Sequence, residues 1–213
     1  MTTTTVVSRQ RTPARALLFY HPSIASLAHG IARHAAPCVE LAHVSFDVFP
    51  DGWPNTRFPA RAELEHRAVV YVASFNHPNT VFEQQAFLIA LCRQRLASLH
   101  IIIPYFGPGT MERVSVENEV ATAECFFKML TAPLPPLSGG VPTITVLDAH
   151  ALCTRFYAAD TATVVQQSAM ELAREAAINN NSRWICVFTK HIYIFFKERH
   201  NGARQTSNRC QQI

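Results

Sequence analysis

Three short tracts carry residue types that could do chemistry. Asp148 and His150 flank Ala149 where the apolar run of residues 142–147 ends. Alternate residues of an extended segment point to one side, so this carboxylate and imidazole could converge on one metal ion or phosphate group. The same residues also suit an Asp that caps the next turn beside a hydrogen-bonded histidine. Residues 104–113 leave a second apolar run through a loop rich in Gly and Pro. There Gly107 and Gly109 permit close backbone approach to a bulky anion. Thr110 and Arg113 could donate to phosphate oxygens, although an ordinary connection with a solvated Arg113 fits as well. The third tract, Phe49-Pro50-Asp51-Gly52, is a turn with one acid. No nucleophile elbow, P-loop or dinucleotide-binding glycine pattern occurs.

The elements that must position these tracts alternate between strand-like and helix-like patterns. Strands are expected at 15–20, 39–49, 68–73, 100–103 and 142–147. Helices are expected at 23–34, with Ser23 as N-cap, at 79–96, 117–130 and 162–178. In the second helix Phe82, Gln85, Ala86, Ile89 and Leu96 line one side. Residues 68–73 form a continuous apolar run, as in strands buried on both faces. The alternation predicts an α/β fold with a largely parallel sheet flanked by helices. Such sheets bind ligands at the carboxyl ends of their strands, which directs attention to the loops at 75–78, 105–118 and 148–156.

Composition narrows the function classes. Hydrophobic residues are 48% and charged residues 16% of the 213, too apolar for a disordered chain. No apolar stretch reaches the roughly 18 residues of a membrane span. The net charge of +4 is made at one end. Residues 1–177 carry 13 Lys and Arg against 14 Asp and Glu, whereas residues 178–213 carry six against one. A nucleic-acid footprint is expected on the folded body, and the body is balanced, so neither nucleic acid nor membrane is an expected partner. The six cysteines lie 24 or more residues apart, without zinc-site spacing. They read as reduced, mostly buried thiols in a cytoplasmic protein. Three segments are expected: a flexible stretch at 1–14, a domain at 15–178, and a divergent, partly disordered basic tail at 179–213.

Taken in order, the tracts resemble the N-terminal half of the ribose-phosphate diphosphokinases, the phosphoribosyl diphosphate synthases. The matching residues are Phe49, Asp51 and Gly52; Ser74, Pro78, Asn79 and Glu83; residues 103–106; and Asp148, Ala149, His150, Ala151 and Phe156. Gly109, Thr110, Glu112 and Arg113, with Ala151, Leu152, Arg155, Phe156 and Tyr157, resemble the phosphate-independent, class II branch. The resemblance runs from about Arg15 to Ile178.

The resemblance implies a phosphoribosyltransferase-like fold, one of the two domains of the family, packed into oligomers. It also implies transfer of the diphosphoryl group of MgATP to the C1 hydroxyl of ribose 5-phosphate, giving phosphoribosyl diphosphate and AMP. Carried over residue by residue, Asp148 and His150 match a motif for Mg2+ and the ATP phosphates. Thr110, Glu112 and Arg113 occupy the ATP loop, and Phe49 and Asp51 the turn that reaches across a subunit contact to the adenine. Trp53 stands where the commoner turn ends in Glu, and Thr110-Met111 replace the common Arg-Gln pair. The family's paired-acid, Thr-Gly-Gly ribose-phosphate loop is not found. The chain is therefore expected to be a family member inactive alone, in a homo-oligomer or a hetero-oligomer with full-length synthase, or alternatively a non-catalytic accessory subunit that associates with full-length synthase.

Overall fold

The structure, a computed structural model, describes residues 15–158 and 160–171. Its strands in chain order are β1 (Ala16–Tyr20), β2 (Val39–Leu41), β3 (Ser45–Val48), β4 (Pro54–Arg57), β5 (Ala68–Val72), β6 (Ser98–Ile103), β7 (Thr143–Leu147) and β8 (Thr163–Gln167). The helices are α1 (Ala25–His34), α2 (Arg61–Leu64), α3 (Val81–Cys92) and α4 (Thr122–Thr131). Six strands form one sheet in the order β2-β1-β5-β6-β7-β8, parallel throughout. β3 and β4 make a separate antiparallel hairpin. The expected α/β architecture with a parallel sheet is what the chain adopts.

Neighbouring residues of a strand face opposite sides of a sheet. Leu18 and Phe19 in β1, and Tyr71 and Val72 in β5, are all fully buried, so both faces are covered. That is why these strands read as continuous apolar runs. The core centres on Phe87 of α3, which meets Phe19, Phe46, Phe58 and Tyr71 edge-on at centroid distances of 5.1 to 5.7 Å. Phe46 and Phe58 are the contacts that seat the hairpin on this core.

Several expectations need correction. The single strand at 39–49 is two, belonging to different sheets, because the chain leaves the main sheet at residues 42–44. Residues 163–167 are a sheet strand rather than the start of a helix at 162–178. Thr163, Val164 and Val165 are β-branched and pair with Thr143, Ile144 and Thr145. α4 begins at Thr122, not at 117. α3 buries Gln84, Phe87, Leu88, Leu91 and Cys92, while Phe82 is exposed; so apolar a helix offers several stripes for its inner face. The first turn before α1 is capped by the imidazole of His21, which accepts from the Ser23 N–H, and not by Ser23. Cys92 is buried and free and Cys125 exposed and free, but Cys38 is disulfide-bonded, against the expectation of thiols throughout. The segments expected at 1–14 and 179–213 lie outside the described residues.

Candidate functional site

The chain goes from β1 to β2 at one edge of β1 and then to β5 at its other edge, so the strand order reverses there. In parallel sheets ligands bind beyond the carboxyl ends of the strands, above all near such a reversal. A polar cluster fills that place. His21, at the end of β1, contacts Ser23 Oγ at 2.8 Å and Glu83 Oε1 at 3.0 Å. Ser23 Oγ donates to Ser74 Oγ at 2.8 Å, which donates to Asn76 at 2.9 Å. Below it the buried amide of Gln84 accepts from Tyr71 and from the Ser74 N–H, and donates to the carbonyls of Ser74 and Thr80. Burial foremost, then the charge of Glu83, hold the Tyr71 phenol well above its ordinary range. The carboxyl ends of β1 and β5 are thereby locked together.

The loops after β5 and β6 are joined as backbone. Phe75 bridges Phe106 in parallel fashion, and a side chain at Gly107 would place its Cβ 2.6 Å from the Phe75 carbonyl oxygen. Only glycine fits that approach. The same loop then presents Thr110 and Arg113 to solvent, the Arg113 side chain being 80% exposed. Glu112 between them turns inward and is 8% exposed. Its Oε1 lies 3.9 Å from Arg113 Nε and 3.9 Å from His150 Nε2. Its Oε2 is buried with no hydrogen-bond partner. The loop after β7 closes over it, Tyr157 donating its hydroxyl to the Glu112 carbonyl at 2.5 Å.

Asp148 and His150 share that last loop but do not converge by simple alternation. Asp148 has φ of +45°, a left-handed conformation that Asp tolerates better than most residues, and the chain turns there. Asp148 Oδ1 accepts from the Ala169 N–H at 3.0 Å and from Ser168 Oγ at 3.4 Å, so this carboxylate also does the capping work that its position allowed for. His150 instead approaches Glu112. The structure thus brings together Glu112, Arg113 and His150, while the Asp148 carboxylate is turned to Ser168 and Ala169 and Thr110 is exposed on the same loop as Glu112. Phe49 and Asp51 lie apart, at the tip of the β3–β4 hairpin. There Asp51 accepts from the Trp53 N–H at 3.3 Å, and Gly52 supplies the φ of +89° that the turn needs. Val48, Phe49, Trp53 and Phe82 are exposed around this tip, the rings of Trp53 and Phe82 5.6 Å apart.

The carboxylates of Glu112 and Asp148 and the imidazole of His150 are donors that could hold Mg2+. No cage of three His, Cys, Asp or Glu side chains is assembled among the described residues. Mg2+ tolerates this, because it keeps waters and is completed by substrate phosphates. Glu112 Oε1, 3.9 Å from both Arg113 Nε and His150 Nε2, and the exposed Arg113 suit a cation and an anion bound side by side. His21, Glu83 and Gln84 were less legible as a cluster, since sequence alone does not bring residues some 60 positions apart to one edge.

No protein-family model matches the chain. A chloroplastic ribose-phosphate pyrophosphokinase 3 of Arabidopsis thaliana is 32% identical over 161 residues, 76% of this chain and 39% of that protein. A ribose-phosphate pyrophosphokinase 4 of Oryza sativa is 33% identical over 156 residues, 73% of this chain and 47% of the relative. The chain thus spans less than half the length of these curated relatives. The crystal structure of phosphoribosylpyrophosphate synthetase from Mycobacterium smegmatis superposes with a TM-score of 0.62 at 17% identity, covering 79% of this chain and 54% of that one. With its six-stranded parallel sheet, the chain has a phosphoribosyltransferase-like fold. Over about three quarters of its length, it is a homologue of the ribose-phosphate pyrophosphokinases, consistent with their N-terminal region.

Proposed function

We propose that this chain supplies the MgATP side of a ribose-phosphate pyrophosphokinase. The observation that carries this reading is the meeting of the β6 and β7 loops, where His150 Nε2 stands 3.9 Å from Glu112 and Arg113 is free in solvent beside it. In this reading Arg113 and Thr110 bind triphosphate oxygens through charge-assisted and hydroxyl hydrogen bonds. Asp148 and His150 hold the Mg2+ carried with ATP, which neutralises charge on the phosphates. Phe49 and Asp51 meet the adenine across a subunit contact. The C1 hydroxyl oxygen of ribose 5-phosphate then bonds to the β-phosphorus as the bond to AMP breaks, and the hydroxyl proton leaves to solvent. The protein's contribution is in-line placement and charge complementarity.

The ribose 5-phosphate site is assigned to another polypeptide segment, so the 213-residue chain binds MgATP but releases no AMP by itself. Purified folded chain is to be assayed for MgATP binding, and for AMP release with and without ribose 5-phosphate. Binding without AMP, and ribose-dependent AMP once a homologous ribose-phosphate-binding half is added, are the expected results. Failure of folded chain to bind MgATP overturns the reading. A second reading, a non-catalytic subunit docked on full-length synthase, is favoured by the exposed Val48, Phe49, Trp53 and Phe82 at the hairpin. It requires co-purification with the synthase and no loss of synthase activity when Asp148 is replaced. A cytoplasmic location belongs to the proposal, and organellar recovery of the tagged chain would contradict it.

A further inference from the structure

We propose that Glu112 is a ligand for a divalent cation, bound jointly with His150, and not a contact to the nucleotide. The inference deepens the reading of this site as the MgATP side and rests on it. Glu112 is more than nine-tenths buried. Among the described residues neither of its oxygens accepts a hydrogen bond, and Oε2 is wholly enclosed. A carboxylate in that position is costly unless a cation meets it.

Two side chains that could pair with it are near, and neither satisfies it. Arg113 Nε is 3.9 Å away on a side chain that is 80% exposed, too far for the short contact that a guanidinium makes with a carboxylate. His150 Nε2 is also 3.9 Å away, about 1 Å beyond a charge-assisted hydrogen bond. Two atoms each about 2.1 Å from an octahedral Mg2+ stand about 3.0 Å apart as neighbours and about 4.2 Å apart across the ion, so this separation needs to close by about 0.9 Å or open by about 0.3 Å to take one ion. The backbone supports the placement. Tyr157 ties the Glu112 carbonyl to the β7 loop, and His150 packs against the loop at Gly109, 3.5 Å from where a Cβ would lie. A negative side chain would repel a triphosphate directly, whereas through a shared cation it attracts one.

Mn2+ is the probe, titrated into the full chain without nucleotide and followed by electron paramagnetic resonance, together with melting curves. Wild type is expected to bind one Mn2+, with pulsed spectra showing a directly bound 14N. Glu112→Gln should weaken Mn2+ binding tenfold or more while keeping the nitrogen coupling at saturating metal. His150→Gln should abolish that coupling. Without metal, Glu112→Gln should melt higher than wild type, since it removes a buried unpaired charge, and should lose most of the Mn2+-induced rise. Wild-type-like Mn2+ affinity in Glu112→Gln overturns the proposal, as does a lower metal-free melting point, which marks a structural ion pair. Absence of 14N coupling in wild type also overturns it, and needs no variant to fold. Mn2+ bound as described without any MgATP binding would instead refute the functional reading and leave this site standing.

Discussion

Gln84 offers the sharpest test of how the site is held. It is fully buried on α3 and its amide makes four hydrogen bonds to Tyr71, Ser74 and Thr80 at 2.8 to 2.9 Å. Gln84→Leu keeps the volume and removes all four. The Ser74 carbonyl retains Thr80 Oγ1 at 3.1 Å, but the Tyr71 hydroxyl and the Ser74 N–H are left buried and unpaired. Each orphan costs about 1–3 kcal/mol, so the variant should lose roughly 2–6 kcal/mol, a large share of a typical domain's stability. Tyr71→Phe alone should cost only about 1 kcal/mol, because Ser74 N–H still occupies the amide oxygen. In the Gln84→Leu background the same change deletes an orphan, and should restore about 1–3 kcal/mol. The two substitutions therefore couple by about 2–4 kcal/mol. Urea unfolding of the four proteins, followed by circular dichroism at constant m-value, measures this. If Tyr71→Phe costs the same in both backgrounds, the amide is not the clamp described here.

Other outcomes follow from single contacts. Gly107→Ala must push the Phe75 carbonyl away, costing about 1–3 kcal/mol and weakening MgATP binding. Gly109→Ala, whose nearest atoms would lie at 3.4 and 3.5 Å, should fold normally; equal effects in calorimetry would refute the contrast. Phe87→Ala empties the centre of the aromatic cluster and should cost about 3–5 kcal/mol in thermal unfolding. Burial holds the His100 imidazole below its ordinary value near 6.5, so the unfolded chain takes up that proton first. Its contribution to stability is intact above about pH 6.5 and is lost as pH falls toward the folded value. His100→Gln should therefore flatten the melting temperature between about pH 7.5 and about pH 5.5, and an unchanged slope would refute this. Burial pushes the Cys92 thiol up to about 12, so a disulfide reagent should label exposed Cys125 in the native protein and Cys92 only on unfolding.

The parts of the fold that were legible are those where one physical rule dominates. β1, β5, β6 and β7 are buried on both faces, so their composition alone announces them. Residues 163–171 mislead because a short β-branched run is followed directly by helix formers, and a window spanning both averages them into one helix. Val44, Phe46 and Val48 do alternate, but Val44 is buried and Val48 is 60% exposed. Period-two patterning cannot reveal that the strand has left its sheet for a protruding hairpin. In α3 the inward polar residue is Gln84, invisible to hydrophobic periodicity because its amide is satisfied by Tyr71, Ser74 and Thr80. At the site, composition picked out Thr110, Arg113, Asp148 and His150. The inward turn of Glu112 depends on a loop conformation that no spacing encodes.

Asp148 shows how one residue can serve both geometry and chemistry. Its left-handed φ turns the chain out of β7, and its Oδ1 holds the Ala169 N–H beyond β8. Removal of the charge and removal of the cap are therefore separable. Asn tolerates the left-handed region and still accepts through its side-chain oxygen, so Asp148→Asn should preserve the turn and lose only charge. Ala accepts nothing and is strained there, by about 1–2 kcal/mol. If Asp148 acts on MgATP, the Asn variant should bind it more weakly at nearly wild-type stability, while Ala loses both. An Asn variant with wild-type affinity would confine Asp148 to holding the loop, and would leave the metal to His150 and Glu112.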